Sequence, residues 1–173
     1  MARLTYADPT APAIADLAQR ITSERGGQLP NLYCMLLNSP PIAQGWLNLL
    51  TAVRQKCSLP GRIRELAILR VALLNRADYE YSGHIPYAKK AGLTQEQIDA
   101  LPKWQRSAAF DEQEEAALAL VDSMTREIQV PDDIFSRAMR LFGNVQTMEL
   151  CVTVGAYNMV SRFLEAVKID RDE

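Results

Sequence analysis

The 173-residue sequence is short of the residues that advertise common chemistries. It holds a single histidine, His84, and three cysteines, Cys34, Cys57 and Cys151. No two cysteines stand in a CxxC or metal-finger spacing, and an odd, scattered set builds no disulfide framework. Without a second histidine or an HExxH pattern, no metal site is expected. There is no glycine-rich phosphate loop, no GxSxG turn for a serine nucleophile and no basic helix with interleaved aromatics. A net charge of −2 gives no pull towards nucleic acid. No apolar run reaches membrane-spanning length, and "MARLTYADPTAPAIADLAQR" has no signal-type apolar core. These absences predict a soluble cytoplasmic protein with neither a nucleic-acid nor a membrane partner.

Alternating apolar and polar runs of strand length are lacking as well, and what is present is helix after helix. "PAIADLAQRITSERGG" places Ile14, Leu17, Ala18 and Ile21 on one stripe, with Pro12 near its start and Gly26-Gly27 past its end. "NLYCMLLNS" is a short apolar helix. In "SPPIAQGWLNLLTAVRQKC", Ser39 is the expected cap, and Ile42, Trp46, Leu49, Leu50 and Val53 share a face. Ser58 is the expected cap of the next helix, and Asp78 that of "DYEYSGHIPYAKKAG", which Pro86 should kink and Gly92 should end. "TQEQIDAL" carries a capping box of Thr94 and Gln97. "DEQEEAALALVDSMTRE" is acidic in its first turn, as the helix dipole favours. "PDDIFSRAMRLFG" should stop at Gly143, ahead of the long apolar helix "NVQTMELCVTVGAYNMVSRFLEAV". The expectation is all-α, a compact multi-helix bundle in a single domain over residues 1–173.

The segment "RELAILRVALLNRADYEYSGH" carries the chemistry. Between Leu66 and Leu74 the helix is apolar around almost its whole circumference, which marks an element covered on all sides. A carboxylate heading such a helix needs a partner, and Glu65 and Arg70 are poorly spaced to pair along one helix. Glu80 and His84, four apart, share a face of the following helix and can share a proton. The short link "NRAD" makes the two helices antiparallel neighbours, able to bring Glu65 to His84. Two carboxylates around one imidazole would raise its pKa and position it as a general acid or base.

"RELAILRVALLNRADYEYSGHIPYAKKAGLT" resembles the core of the carboxymuconolactone decarboxylase and alkylhydroperoxidase family. The peroxidase branch has the pattern E-x11-C-x2-C-x3-H, and Glu65, Ala77, Glu80 and His84 fall in its four places. "NLYCMLLNSPPIAQGW" and "YNMVSRFLEAV" are similar too, so the likeness runs from about residue 29 to 168, with its motif core at 58–92. The resemblance implies an alkylhydroperoxidase-like bundle, and the departure from it bears on the reaction. Neither Ala77 nor Glu80 can supply the thiolate that a thiol peroxidase needs. The decarboxylase branch requires no cysteine and no cofactor. By this resemblance the chain is a cofactor-free lyase acting on a small cyclic or conjugated carboxylic acid or lactone. His84 would be the proton donor, Glu65 its orienting partner and Glu80 the group that tunes the pair. Arg70 would meet the substrate's carboxylate, and Tyr81 and Trp46 would line its pocket. The runner-up readings are a peroxidase using a displaced cysteine and a non-catalytic oligomeric scaffold. The family also implies self-assembly, as a homotrimer or a multiple of one.

Overall fold

Every regular element among residues 1–172, which the computed structural model describes, is helical, and no strand occurs among them. The all-α expectation holds. Close contacts divide the chain into two units, one of Met1–Lys56 with the segment from Phe163 onward, the other of Cys57–Arg162.

The first unit holds α1 (Ala15–Glu24), α2 (Asn31–Leu36) and α3 (Pro40–Thr51). Ser39 stands at the N-cap of α3 in an extended conformation, yet its side chain makes no capping bond. The buried face of α3 is Ala43, Trp46, Leu47 and Leu50, while Ile42 and Leu49 are exposed. The face is therefore rotated from the one the apolar spacing suggests. After Thr51 the winding widens into a π-helical turn, Ala52–Lys56, which the sequence does not announce.

The second unit contains α4 (Gly61–Asn75), α5 (Asp78–Lys90), α6 (Gln95–Ala100), a 3-10 stretch Leu101–Arg106, α7 (Glu112–Arg126) and α8 (Asp132–Val167), the last running on past the unit's end at Arg162. Two expected caps are corrected here. Pro60, not Ser58, precedes α4, because the Ser58 hydroxyl and amide both donate to the Glu149 carboxylate of α8. Ala77 occupies the N-cap of α5, and Asp78 is already its first helical residue. Pro86 lies inside α5 without breaking it. The Thr94–Gln97 capping box forms, and Asp111 with Glu114 makes a second one at α7. Gly143, at φ +70°, interrupts α8 where the sequence predicts a stop; that left-handed backbone suits glycine.

The core explains where the site lies. In α4 every residue from Glu65 to Ala72 is buried, as expected for a helix apolar all round. Leu66 and Leu69 pack with Ala88, Leu93, Ile98 and Leu118. α5 is polar over most of its surface and buries only Glu80, His84 and Ala88. Those three are spaced by four, so the covered stripe of α5 is the stripe that carries the histidine.

Candidate active site

Arg76 turns the chain out of α4 in a left-handed conformation, and α5 begins two residues later. This tight hairpin packs α5 along α4 and brings together residues 19 positions apart. The His84 Nδ1 lies 2.7 Å from Glu65 Oε2. An ionised carboxylate only accepts, so Nδ1 carries a proton in this pair and the contact fixes the tautomer. At the other side of the ring, Nε2 is 3.3 Å from Glu80 Oε2 and 3.3 Å from the Tyr157 hydroxyl. Tyr157 comes from α8, its ring edge-on to the imidazole at 5.2 Å between centroids. The Tyr87 ring lies at 5.6 Å. All four polar groups are buried: Glu65 is 4%, Glu80 5%, His84 6% and Tyr157 2% exposed.

Charge balance favours a proton on the ring. Two buried carboxylates without counter-charge would be strongly destabilising. Arg64 Nε reaches Glu65 Oε1 at 3.4 Å, which supplies one positive charge, and a protonated His84 supplies the second. Burial opposes that proton, but the hydrogen bond to Glu65, the contact with Glu80 and the charge of both outweigh it. The imidazole pKa is held above its ordinary value of 6.5. A ring whose charged form is favoured, with one nitrogen clamped and the other facing Glu80 and Tyr157, can deliver or collect a proton at Nε2.

Glu65, Glu80 and His84 thus meet in one cluster. The other three residues singled out in the sequence lie elsewhere. Arg70 is buried and donates to both Asp122 oxygens, at 2.6 and 2.8 Å, and to the Leu101 carbonyl at 2.8 Å. Its Nε, Nη1 and Nη2 all donate within the core, and the carboxylate it meets there is Asp122. Tyr81 packs, partly buried, against the apolar cluster that includes Leu66 and Ile98. Trp46, in the first unit, packs on Phe163 with ring centroids 5.5 Å apart. Sequence reasoning missed two participants, Tyr157 and the pairing of Arg64. Tyr157 is 73 positions from His84, and only its place in the family-like segment "YNMVSRFLEAV" signalled it.

The three cysteines are free and only partly covered. Burial raises all three thiol pKa values, and the charges of Asp172 beside Cys34 and Glu149 beside Cys57 raise those two further. Thiols held in the neutral form are poor nucleophiles.

Residues 40–123 match the carboxymuconolactone decarboxylase family, a span that contains Glu65, Glu80 and His84. The uncharacterized protein YdfG of Bacillus subtilis is 26% identical over 110 residues, covering 62% of this chain and 75% of its own. A protein of unknown function from Agrobacterium tumefaciens, named as a candidate AhpD antioxidant-defence protein, shares the fold at a TM-score of 0.73. It is 25% identical, over 79% of this chain and 94% of its own. A cysteine-to-alanine form of the debrominase Bmp8, in complex with 2,3,4-tribromopyrrole, superimposes over 99% of this chain and 90% of its own. Its TM-score is 0.80 at 17% identity, a likeness of fold. By the match over residues 40–123 and the shared fold, the chain is similar to proteins of the carboxymuconolactone decarboxylase family.

Proposed function

We propose that this protein is an acid–base enzyme in which His84 moves a proton through Nε2, acting on a small cyclic or conjugated carboxylic acid or lactone. The observation that carries the reading is the buried Glu65–His84–Glu80 cluster, with the Nδ1 contact of 2.7 Å holding the ring. As a decarboxylation, the bond to the carboxylate breaks and carbon dioxide leaves. Its electron pair enters the conjugated system, and the proton of Nε2 is delivered to carbon. The step transfers a proton and needs no electron acceptor. Arg64, already in contact with Glu65, is the cation in this cluster for the developing negative charge.

A thiol peroxidase reading has weaker support. Ala77 and Glu80 occupy the places where the peroxidase pattern has cysteine, and the remaining thiols are held protonated. A scaffold has no evident need for two buried carboxylates around an imidazole, since taking such groups out of water is costly. Three free cysteines fit a reducing cytoplasm.

The test is a panel of small lactone and conjugated carboxylic acids in heavy water, read by carbon dioxide release and deuterium at carbon. We expect turnover that falls by about 100-fold or more in His84→Gln, the scale of a lost general acid. Undiminished turnover in that variant overturns the reading. With an alkyl hydroperoxide and a dithiol reductant we expect none; turnover abolished by replacing Cys34, Cys57 or Cys151 would instead establish the peroxidase.

A further inference from the structure

The two nitrogens of His84 are not equivalent. Nδ1 meets only a carboxylate among its named contacts, so it keeps its proton whether the ring is neutral or charged. All protonation change therefore falls on Nε2. In the neutral ring Nε2 is a bare lone pair and can only accept; in the charged ring it is an N–H and can only donate. Two groups stand at this atom, each at 3.3 Å. Glu80 Oε2 is an acceptor, off the ring nitrogen's hydrogen-bond axis, buried and without an aligned donor of its own. The Tyr157 hydroxyl is aligned with Nε2 and is the one of the two that can donate.

We propose that Tyr157 is a positioning residue for His84: its hydroxyl donates to the bare Nε2 of the neutral ring, while the nearby charge of Glu80 favours the charged ring. The inference rests on the acid–base reading and adds the partner that reading lacks. Around the ring, α4 contributes Glu65 with Arg64 behind it, α5 contributes Glu80 and the Tyr87 ring, and α8 contributes Tyr157. Both carboxylates favour the charged ring. A histidine that only ever holds its proton cannot turn over, because the base form must be reached in each cycle. Tyr157 is the group in this set that stabilises the base form.

The sign of the effect separates this role from simple packing. Removing the hydroxyl takes from the neutral ring its donor at Nε2, while the charged ring keeps Glu80. Removing the charge of Glu80 does the opposite.

His84 is the only histidine, so its ring resonances report the site without ambiguity. We would titrate them by NMR in the wild type, Tyr157→Phe and Glu80→Gln. Tyr157→Phe should move the midpoint upward by about half a pH unit to one unit, the worth of a neutral hydrogen bond. Glu80→Gln should move it downward. A midpoint in Tyr157→Phe equal to or below the wild type overturns the proposal. Should Tyr157→Phe not fold, 3-fluorotyrosine at position 157, a stronger donor of the same shape, should lower the midpoint; an unchanged or raised value overturns it equally. The titration reads the ring itself, whether or not any compound is turned over. Failure here leaves the acid–base reading standing, and failure of the turnover test leaves the hydrogen-bond assignment standing.

Discussion

The one imidazole of this chain links its stability to pH. Its folded pKa is raised, so the native state binds the proton more tightly than the unfolded chain does. The resulting stabilisation is fully present below the ordinary value of 6.5 and is lost as pH rises through the raised value. We therefore expect wild type and His84→Gln to differ most in melting temperature at mildly acidic pH, with the gap closing towards alkaline pH. A gap that widened with pH would contradict a charged His84 in the folded state. At this scale the sequence was most legible where two groups sit on one helix turn, as Glu80 and His84 do. The burial of Glu65 was legible only as a need for a partner, which the short α4–α5 link satisfied. Tyr157 was signalled only by its place in the family-like segment "YNMVSRFLEAV", because nothing local in a sequence reports a contact across 73 positions.

Arg70 belongs to the scale of elements, where it ties α4 to α7. Its guanidinium grips both oxygens of Asp122, and that carboxylate also receives Trp104 Nε1 and Gln105 Nε2 at 3.2 and 3.1 Å. The two residues are not equally replaceable. Losing Asp122 strands a buried guanidinium with the Leu101 carbonyl as its remaining partner named here, whereas losing Arg70 leaves Asp122 with donors from Trp104 and Gln105. We expect Asp122→Ala to cost about 3–5 kcal/mol in urea unfolding, the scale of a broken buried ion pair, and Arg70→Met to cost less. The His84 titration should be unchanged in Arg70→Met; a shift there would restore Arg70 to the site. The order of the helices and the break at Gly143 were readable because apolar period and glycine are local signals. The caps at Ser58 and Asp78 were misread because distant tertiary contacts and the preceding proline decide where α4 begins, and Ala77 where α5 does. A serine before a proline and an apolar run looks like a cap in any sequence. Here the hydroxyl goes to Glu149, 91 positions away.

For the whole molecule the open matter is what covers the apolar surface of α8. Among the described residues no helix is long and apolar enough to cross a membrane. Val145, Met148, Val152 and Met159 are exposed, and Gly155 completes their spacing of three and four along one side of the helix. This is the seam spacing of helices that pack against one another. A water-exposed stripe of that length favours association, and a second copy of the same seam is complementary to it by symmetry. We propose that the chain assembles with itself through this side of α8, as a trimer or a multiple of one. The seam also lies on the helix that carries Tyr157, but on its other side, since Tyr157 is buried within its own chain. Assembly and proton chemistry should therefore separate experimentally. Light scattering coupled to size exclusion at micromolar concentration should give a mass well above the 19.4 kDa of one chain. Val152→Glu, which sets like charges against each other across the seam, should bring it down to that value. His84→Gln should leave the assembled mass unchanged while abolishing turnover. A wild type that elutes as a single 19.4 kDa species would end the proposal of self-assembly, and a Val152→Glu variant of undiminished mass would move the seam to another helix.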